Sequence, residues 1–332
     1  MIAVEEALTR LLAHVDILPP EQISLADGLG RVLAEDVAAR RTQPPFAASA
    51  MDGYAVRAED LDQIPAVLRI VAEVPAGAGF GGRVGKGEAA RIFTGAPMPA
   101  GTDTVVIQED AERDGDIVRI REGAKRGRYV RREGLDFAAG EVLLRAGRRL
   151  AARDIGLVAA MNRPWLMVRR RPRIGVLSTG DEIVMPGDPI GPHQIVSSNS
   201  LALIAFVTAC GGIAVSVGNA PDDSAALRRI AAATAGVDLL VTTGGASVGD
   251  HDLVRGALAE DGFALDFWQI AMRPGKPLMV GKYRGTPMLG LPGNPVSTFV
   301  GALLFLKPAL DRMSGLPSAG EAPATARLGV AA

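Results

Sequence analysis

Between residues 173 and 310, short aliphatic runs alternate with longer segments whose apolar residues recur at helical spacing. The pattern predicts strand 174–177, helix 201–210, strand 213–217, helix 225–233, strand 238–242, helix 253–260, strands 277–280 and 287–291, and helix 296–310. Because a strand–helix–strand connection joins parallel strands, this region predicts a mostly parallel sheet with helices on both faces. In such sheets ligands bind at the carboxyl ends of the strands.

The segments that flank the middle of the chain show helical patterns. Apolar residues on one stripe predict a helix over 4–15, and Pro19 and Pro20 end it. Further helices are expected near 29–37 and 151–160.

Residues 67–144 are rich in glycine and in short β-branched runs, which indicates a β-rich fold. Strands 105–107 and 117–120 are expected to pair as a hairpin through Asp114 and Gly115. We therefore predict a helical linker domain (1–48 and 137–170), a β-rich domain (49–136), an α/β domain (171–314) and a tail (315–332).

The composition excludes several classes of protein. With 36 basic and 37 acidic residues the net charge is −1, which argues against a nucleic-acid binder that works through bulk positive charge. Hydrophobic residues make up 48% of the 332 residues, too many for a disordered chain. One cysteine, Cys210, and three histidines provide neither an internal disulfide nor a zinc site. Because no signal peptide or membrane-spanning run is evident, we expect a soluble cytoplasmic protein without a membrane partner.

The loops after the predicted parallel strands share glycines, carboxylates and hydroxyls. They comprise residues 178–182, 219–223, 243–252 and 291–297. Glycine allows a backbone to approach a ligand closely, and carboxylates beside an anion suit a bridging divalent cation. These loops favour a phosphate-bearing ligand. The alternative is that their Asp, Ser and Gly residues only cap helices.

Five sequence strings then occur in a family-specific order. They are SAMDGYAV (49–56), RIFTGAP (91–97), STGDE (178–182), TGGASVG (243–249) and LPGNPVS (291–297). Together they resemble molybdopterin molybdenumtransferase, the family of bacterial MoeA and the gephyrin E domain. The resemblance runs from about residue 3 to about residue 314.

The resemblance implies a multidomain α/β plus β fold, in which a MogA-like α/β domain with a mostly parallel sheet accompanies a β-rich domain and a helical linker domain. It implies an enzyme of molybdenum-cofactor synthesis that inserts molybdate into adenylylated molybdopterin and releases AMP, with Mg²⁺ as cofactor. It also implies a homodimer, with molybdopterin adenylyltransferase as the partner in the pathway. Nucleic acid is not an expected partner.

Residue roles follow from the same motif matches. The resemblance implies catalytic residues at Asp52, Thr94, Glu182, Asp222, Asp252 and Lys276. It implies ligand-binding residues at Gly244, Gly245, Ser247, Gly249, Arg273, Pro292, Gly293, Asn294, Pro295 and Ser297, and metal ligands at Glu182, Asp250 and Asp252. Asp136 also matches a functional acid. The alternatives are a helix cap for Asp252, a solvated loop lysine for Lys276 and a turn hydroxyl for Thr94.

Two departures from the family pattern support other functions. The resemblance leads us to expect a further C-terminal β domain, where this sequence has only the tail at 315–332, and lysine is common in the family where Gln269 stands. A non-catalytic molybdopterin-binding or scaffold paralogue is therefore one alternative. A molybdopterin adenylyltransferase is another, but it would not explain residues 49–136.

Two stretches of the chain are strongly basic. Residues 119–132 contain seven cations and one acid, and residues 163–173 contain five arginines. Because aromatic residues that could stack on bases are scarce, both stretches are expected to be solvated surface rather than a nucleic-acid site. They could also raise the local concentration of an anionic substrate.

Overall fold

The computed structural model describes residues 1–221, 223–232, 234, 236–244, 253–259 and 261–317. The chain forms two compact units. Unit 1 consists of Met1–Glu35, Arg145–Ala152 and Trp165–Ala332, and unit 2 consists of Asp36–Leu144 and Arg153–Pro164. Within the described residues, no helix has both the length and the apolar character needed to cross a membrane.

The elements are numbered in chain order. The helices are α1 (Val4–Ala13), α2 (Ala152–Ala160), α3 (Asn199–Ala209), α4 (Ser224–Ala232), α5 (Leu253–Ala259), α6 (Pro295–Gly301) and α7 (Lys307–Met313), with a π-helical stretch at Ala302–Leu306. The strands are β1 (Pro20–Ser24), β2 (Val37–Ala38), β3 (Ala48–Ser49), β4 (Gly53–Val56), β5 (Ala66–Val74), β6 (Glu88–Ile92), β7 (Thr104–Ile107), β8 (Ala111–Asp114), β9 (Ile117–Ile120), β10 (Val130–Arg131), β11 (Val142–Leu144), β12 (Trp165–Arg169), β13 (Arg173–Thr179), β14 (Ile183–Val184), β15 (Ile195–Val196), β16 (Ile213–Ala220), β17 (Leu239–Thr243), β18 (Phe263–Gln269), β19 (Pro277–Tyr283) and β20 (Thr286–Leu291).

Unit 1 contains a six-stranded sheet in the order β16-β13-β17-β20-β19-β18. The first four strands are parallel, and β19 and β18 continue the sheet as antiparallel strands. The sequence pattern therefore predicted the mostly parallel sheet correctly but missed β18. Its apolar residues follow no clear period of two: Phe263 and Phe267 are buried, and the three residues between them are exposed.

Alternate residues of the central strands enter two separate cores. On β17, Leu239 and Val241 pack with α1, α3 and α7, whereas Leu240 packs with α4 and α5. On β20, Leu289 faces the first core and Met288 the second. This period of two is the geometry of a strand covered on both faces, and it confirms the predicted helices on both sides of the sheet.

Unit 2 contains a six-stranded sheet in the order β7-β4-β6-β5-β9-β8. Its core includes Val56, Ala89, Val106, Val118 and Ile120, all at most 1% exposed. The predicted β-rich character of this part of the chain is therefore present.

The predicted hairpin partner was wrong. Strand β9 pairs with β8 through the Gly115–Asp116 turn, and β7 pairs instead with β4. A short 3₁₀ turn at Gln108–Asp110 separates β7 from β8. The Asp114–Gly115 dipeptide does mark a turn, because Gly115 has the positive φ of 58° that the turn requires. The strand that this turn joins to β9 is β8, which directly precedes it, and not β7.

The helix predicted near 29–37 is not formed. Gly30 has a φ of 75°, outside the helical region. The backbone of this segment pairs with distant segments instead: Val32 bridges Arg149, and Leu33 bridges Val168. Val32 and Leu33 are buried at these pairings, whereas Leu29 at the start of the same pattern is 60% exposed. The predicted linker segments are shared between the two units, and the predicted boundaries stay a prediction.

Candidate functional site

The parallel strands of unit 1 end together at one edge of the sheet. The register pairs Ser178 of β13 with Thr243 of β17, and Thr243 with Leu291 of β20. A cavity of about 140 Å³ opens at this edge and is lined by the strand ends, by Glu182 and by Gly293. It lies where the sequence predicted a ligand site.

Gly244, the residue after β17, brings two loops into close contact. Its φ is 88°, and a Cβ atom there would overlap the carbonyl oxygen of Thr179. Gly293 lies beside it, with the Gly244 Cα 3.5 Å from where a Cβ of Gly293 would stand. Only glycine at position 244 permits this approach, so the cavity depends on it.

Asn199, the first residue of α3, ties the loops around the cavity together. Its Nδ2 donates to Thr243 Oγ1 at 3.0 Å and to the carbonyl oxygen of Gly293 at 2.8 Å. Asn199 belongs to none of the sequence motifs described above. The signal available was its position at a helix start beside a predicted ligand edge.

Several buried polar atoms at this edge have no hydrogen-bond partner among the described residues. They are Ser178 Oγ, Thr179 Oγ1, Asn199 Oδ1, Asn219 Oδ1 and Thr242 Oγ1. Buried polar atoms are nearly always bonded, so a group of unpaired ones indicates partners supplied from outside this set. Ser178, Thr179 and Asn199 line the cavity, which makes them suitable for a polar ligand.

Glu182 supplies a carboxylate at the cavity. Its side chain is exposed, and its carboxylate has no ion pair or hydrogen bond with another described residue. Gly180, with a φ of 131°, leaves room for it, because a Cβ there would overlap the Glu182 carboxylate. Among the described residues, no group of three or more His, Cys, Asp or Glu side chains is placed to hold a metal ion, and Glu182 is therefore not part of such a group.

Arg273 and Lys276 lie on the loop between β18 and β19. Because Met279 of β19 pairs with Gly290 of β20, this loop is at the edge where β20 ends. Both side chains are exposed, and neither has a bonded partner among the described residues. They provide two uncompensated cations at the ligand edge, although they do not line the cavity itself.

The loop after β20 combines ligand contact with helix capping. Gly293 and Pro295 line the cavity. Asn294 Oδ1 accepts from the Ser297 backbone N–H at 3.1 Å and caps α6, and Ser297 is buried beside it. Pro292 is buried, and its carbonyl oxygen accepts from Thr298 Oγ1 at 2.6 Å. For Asn294, Ser297 and Pro292, the geometry therefore shows a structural role that the predicted binding role did not include.

In unit 2, Asp52 and Thr94 form a hydrogen-bonded pair. Asp52 Oδ1 accepts from the Thr94 backbone N–H at 2.8 Å and from Thr94 Oγ1 at 2.7 Å. These bonds from Thr94, first the backbone and then the hydroxyl, hold the pKa of Asp52 below its ordinary value, and Arg91 lowers it further. Asp52 is therefore a half-buried carboxylate that is ionised at neutral pH.

Arg91 is fixed beside this pair. Its guanidinium lies 5.2 Å from the ring centroid of Tyr54 and 4.7 Å from that of Phe93, and it donates to Gln108 Oε1 at 2.8 Å. Arg91 begins the RIFTGAP string (91–97), which by itself indicated no role for this side chain. The structure makes it a positioned cation next to Asp52.

The predicted residues thus fall into two groups, one in each unit. Asp136, also in unit 2, is exposed, and its backbone N–H donates to the carbonyl oxygen of Gln43. Six predicted positions lie outside the described residues: Asp222, Gly245, Ser247, Gly249, Asp250 and Asp252.

The chain is similar to proteins of molybdopterin biosynthesis. Residues 2–162 match the family described as MoeA N-terminal region (domain I and II), and residues 175–312 match a probable molybdopterin binding domain. A Nostoc sp. protein named molybdopterin molybdenumtransferase is 41% identical, with 91% of this chain and 71% of that protein covered.

Two further comparisons agree. Molybdopterin molybdenumtransferase 2 of Mycobacterium tuberculosis is 39% identical, with 90% of this chain and 76% of that protein covered. The crystal structure of a molybdopterin biosynthesis MoeA protein from Pyrococcus horikoshii is 35% identical and matches with a TM-score of 0.84, covering 95% of this chain and 80% of that chain. The predicted α/β plus β fold class is thereby confirmed, and the chain belongs to the molybdopterin molybdenumtransferase family.

Proposed function

We propose that this protein inserts molybdate into adenylylated molybdopterin with release of AMP. The observation that carries the proposal is the cavity at the carboxyl edge of the unit 1 sheet, where buried polar atoms lack partners. Family membership supplies the reaction, because the relatives at 41% and 39% identity are named for it.

Residues of unit 1 would bind and orient the pterin substrate. Ser178, Thr179 and Asn199 offer hydroxyl and amide groups to polar atoms of the ligand. Arg273 and Lys276 would attract molybdate and the substrate phosphates, since their charges are uncompensated at the same edge. These cations would stabilise negative charge on the leaving AMP.

In unit 2, Asp52 would provide a carboxylate held by Thr94, and Arg91 would provide a cation held by Gln108. Asp52 stays ionised at neutral pH because Thr94 donates two hydrogen bonds to it. A carboxylate of low pKa is suited to orienting donors or cations and not to carrying a proton at neutral pH.

We propose Mg²⁺ as the cofactor. Mg²⁺ binds through one or two carboxylates together with substrate phosphates and water. The unpaired Glu182 carboxylate at the cavity fits that donor set, and Asp250 and Asp252 are its proposed companions. When bound, Mg²⁺ would offset the charge of the substrate phosphates.

Three further parts of the proposal concern the protein's context. We propose that the chain acts as a homodimer in the cytoplasm. We also propose that molybdopterin adenylyltransferase supplies its substrate. Size-exclusion chromatography with light scattering tests the first part, and a single monomeric mass at micromolar concentration would contradict it.

The decisive assay measures AMP released from adenylylated molybdopterin, with and without molybdate and with and without Mg²⁺. We expect release that requires molybdate and is increased by Mg²⁺. Tight substrate binding without AMP release would overturn the enzyme proposal and leave a binding protein. Lys276→Ala tests the site: it should reduce release at least tenfold, whereas Lys282→Ala, which removes an equal charge on the same strand pair, should not.

A further inference from the structure

A second cavity in unit 1 lies away from the ligand edge. It is open to solvent and has a volume of about 680 Å³, within the usual range for small-molecule sites. Arg173 and Ile213 line it, and they are paired residues at the starts of β13 and β16. Since β13 runs from Arg173 to Thr179, the cavity and the candidate active site are at opposite ends of that strand, roughly 20 Å apart.

Two arginines of this cavity are already held by carboxylates. Arg31, 8% exposed, pairs with Glu21 and donates to the carbonyl oxygen of Arg169 at 2.9 Å. Arg170 makes two hydrogen bonds to Asp238, at 2.7 and 3.0 Å. In each pair the arginine and the carboxylate neutralise each other, and the bonds hold the two arginines in place at the wall of the cavity.

Two other arginines, Arg171 and Arg173, are not neutralised in this way. Both are exposed, both line the cavity, and neither guanidinium has a hydrogen bond or ion pair with a described residue. They flank the buried Pro172. Since Pro172 has a restricted φ and residues two apart in extended backbone share a face, the two guanidinium groups can act on one ligand.

The remaining wall is apolar with one acid. Leu29 is 60% exposed and Ile213 is 43% exposed, and Ile23 lies beside them. Asp27 is an exposed lining carboxylate without a partner among the described residues, so it offsets part of the positive charge. A ligand for this cavity must combine an anion for the arginines with an apolar part for the wall.

We propose that this cavity binds a small organic phosphate, with its phosphate on Arg171 and Arg173 and its apolar or ring-bearing part against Leu29 and Ile213. Paired guanidinium groups match the oxygen geometry of a phosphate. The site is separate from the proposed active site and is not required by it. The proposal also gives the basic stretch at 163–173 a specific role, whereas the sequence alone indicated only a solvated, positively charged surface.

Phenyl phosphate is the probe, and isothermal titration calorimetry of the full chain is the measurement. We expect one phenyl phosphate to bind at this cavity, with inorganic phosphate binding at least fivefold more weakly because it lacks the apolar part. Arg171→Ser/Arg173→Ser should weaken phenyl phosphate binding at least tenfold. Arg113→Ser/Arg119→Ser, which removes two charges from exposed positions on β8 and β9, is the matched control and should leave it unchanged.

Two further variants separate the cavity from the active site. Asp27→Asn should strengthen phenyl phosphate binding about threefold, since it removes a repelling charge. Arg273→Ser/Lys276→Ser should not affect binding at the cavity. The proposal is overturned if phenyl phosphate does not bind at 10 mM, if only the Arg273/Lys276 variant loses binding, or if inorganic phosphate binds as well as the phenyl ester. Circular dichroism and the melting temperature confirm that each variant is folded.

Discussion

At the scale of single residues, hydrogen bonds set the charge state of the candidate site. Asp52 accepts two hydrogen bonds from Thr94, and these bonds keep its pKa low. The sequence placed both residues in motifs but could not predict that they bond, because Thr94 follows Asp52 by 42 residues. Their pairing depends on how β4 and β6 align, which is a tertiary property.

Thr94→Val removes the hydroxyl donor and keeps the backbone donor. We expect the pKa of Asp52 to rise from its wild-type value but to stay below the ordinary value, because the larger effect comes from the backbone N–H. A carboxyl whose pKa is depressed by folding stabilises the fold above its unfolded pKa, and this contribution is lost as the pH falls through the folded pKa. The variant should therefore lose less stability on acidification.

The measurement is the side-chain carboxyl ¹³C chemical shift of Asp52 as a function of pH. Thr102→Val is the matched control, because Thr102 donates its hydroxyl to the Pro99 carbonyl oxygen and not to a carboxylate. An Asp52 titration curve that is the same in Thr94→Val and in wild type would disprove this account.

At the same scale, the environment of the Tyr283 hydroxyl leads us to expect that the free energy of unfolding changes with pH in the alkaline range. Its hydroxyl is buried and donates to Asp261 Oδ2 at 2.6 Å, and burial and this bond raise its pKa to about 12. The raised pKa means that Tyr283 stabilises the fold fully below pH 10 and that this contribution is lost as the pH rises toward 12. Tyr283→Phe should remove this dependence, as urea unfolding at pH 9 and pH 11 would show. An equal loss of stability between these pH values in both proteins would contradict it.

At the scale of elements, the end of β17 depends on the backbone conformation of one glycine. Gly244 and Gly236 both have a φ of 88°, but only at Gly244 would a Cβ meet another backbone atom. Sequence alone predicted that the glycine-rich loop lies at the ligand edge. It could not show that Gly244 is required for the contact with Thr179, because that contact joins two strands.

Comparing Gly244→Ala with Gly236→Ala separates the free-energy cost of an unfavourable φ from the cost of the overlap between a Cβ atom and the Thr179 carbonyl oxygen. Both variants should lose about 1 kcal/mol from the unfavourable φ, and Gly244→Ala should lose at least about 1 kcal/mol more because β13 and β17 must move apart. Urea denaturation measures both values. Equal losses would mean that the approach of the two loops is not constrained by the glycine.

Helix α3 offers a second comparison at this scale. Leu203 is fully buried in the core beneath β13, whereas Leu201 on the same helix is 46% exposed. Leu203→Ala should lower the free energy of unfolding by about 2–5 kcal/mol, and Leu201→Ala by less than about 1 kcal/mol. Chemical denaturation followed by circular dichroism measures both changes. Similar losses would show that this helix does not pack on the sheet as described.

At the scale of the whole molecule, the chain crosses between two units with separate cores. The helix–strand alternation predicted the α/β fold of unit 1 because its crossovers are local in sequence. It failed for 29–37, where Val32 and Leu33 pair with segments more than 100 residues away. Periodicity reports which side of a segment is buried, and it does not report the partner.

Because unit 1 and unit 2 have separate cores, we expect the two units to unfold in separate transitions. Both tryptophans, Trp165 and Trp268, belong to unit 1, whereas Val118 is fully buried in unit 2. Val118→Ala should therefore shift the unfolding transition seen by circular dichroism and leave the tryptophan fluorescence midpoint unchanged. Equal shifts in both signals would show that the units unfold as one cooperative structure.

The antiparallel strand β19 has a consequence for how anion preference can change. It delivers the loop with Arg273 and Lys276 to the ligand edge, and the Ile270 backbone N–H closes the base of that loop by donating to the Lys276 carbonyl oxygen at 3.0 Å. The loop therefore joins the two antiparallel strands β18 and β19 and is closed at its base by a hydrogen bond of its own. If the loop binds the oxyanion as proposed, selection for a different oxyanion can change its sequence while the strand ends that line the cavity stay as they are.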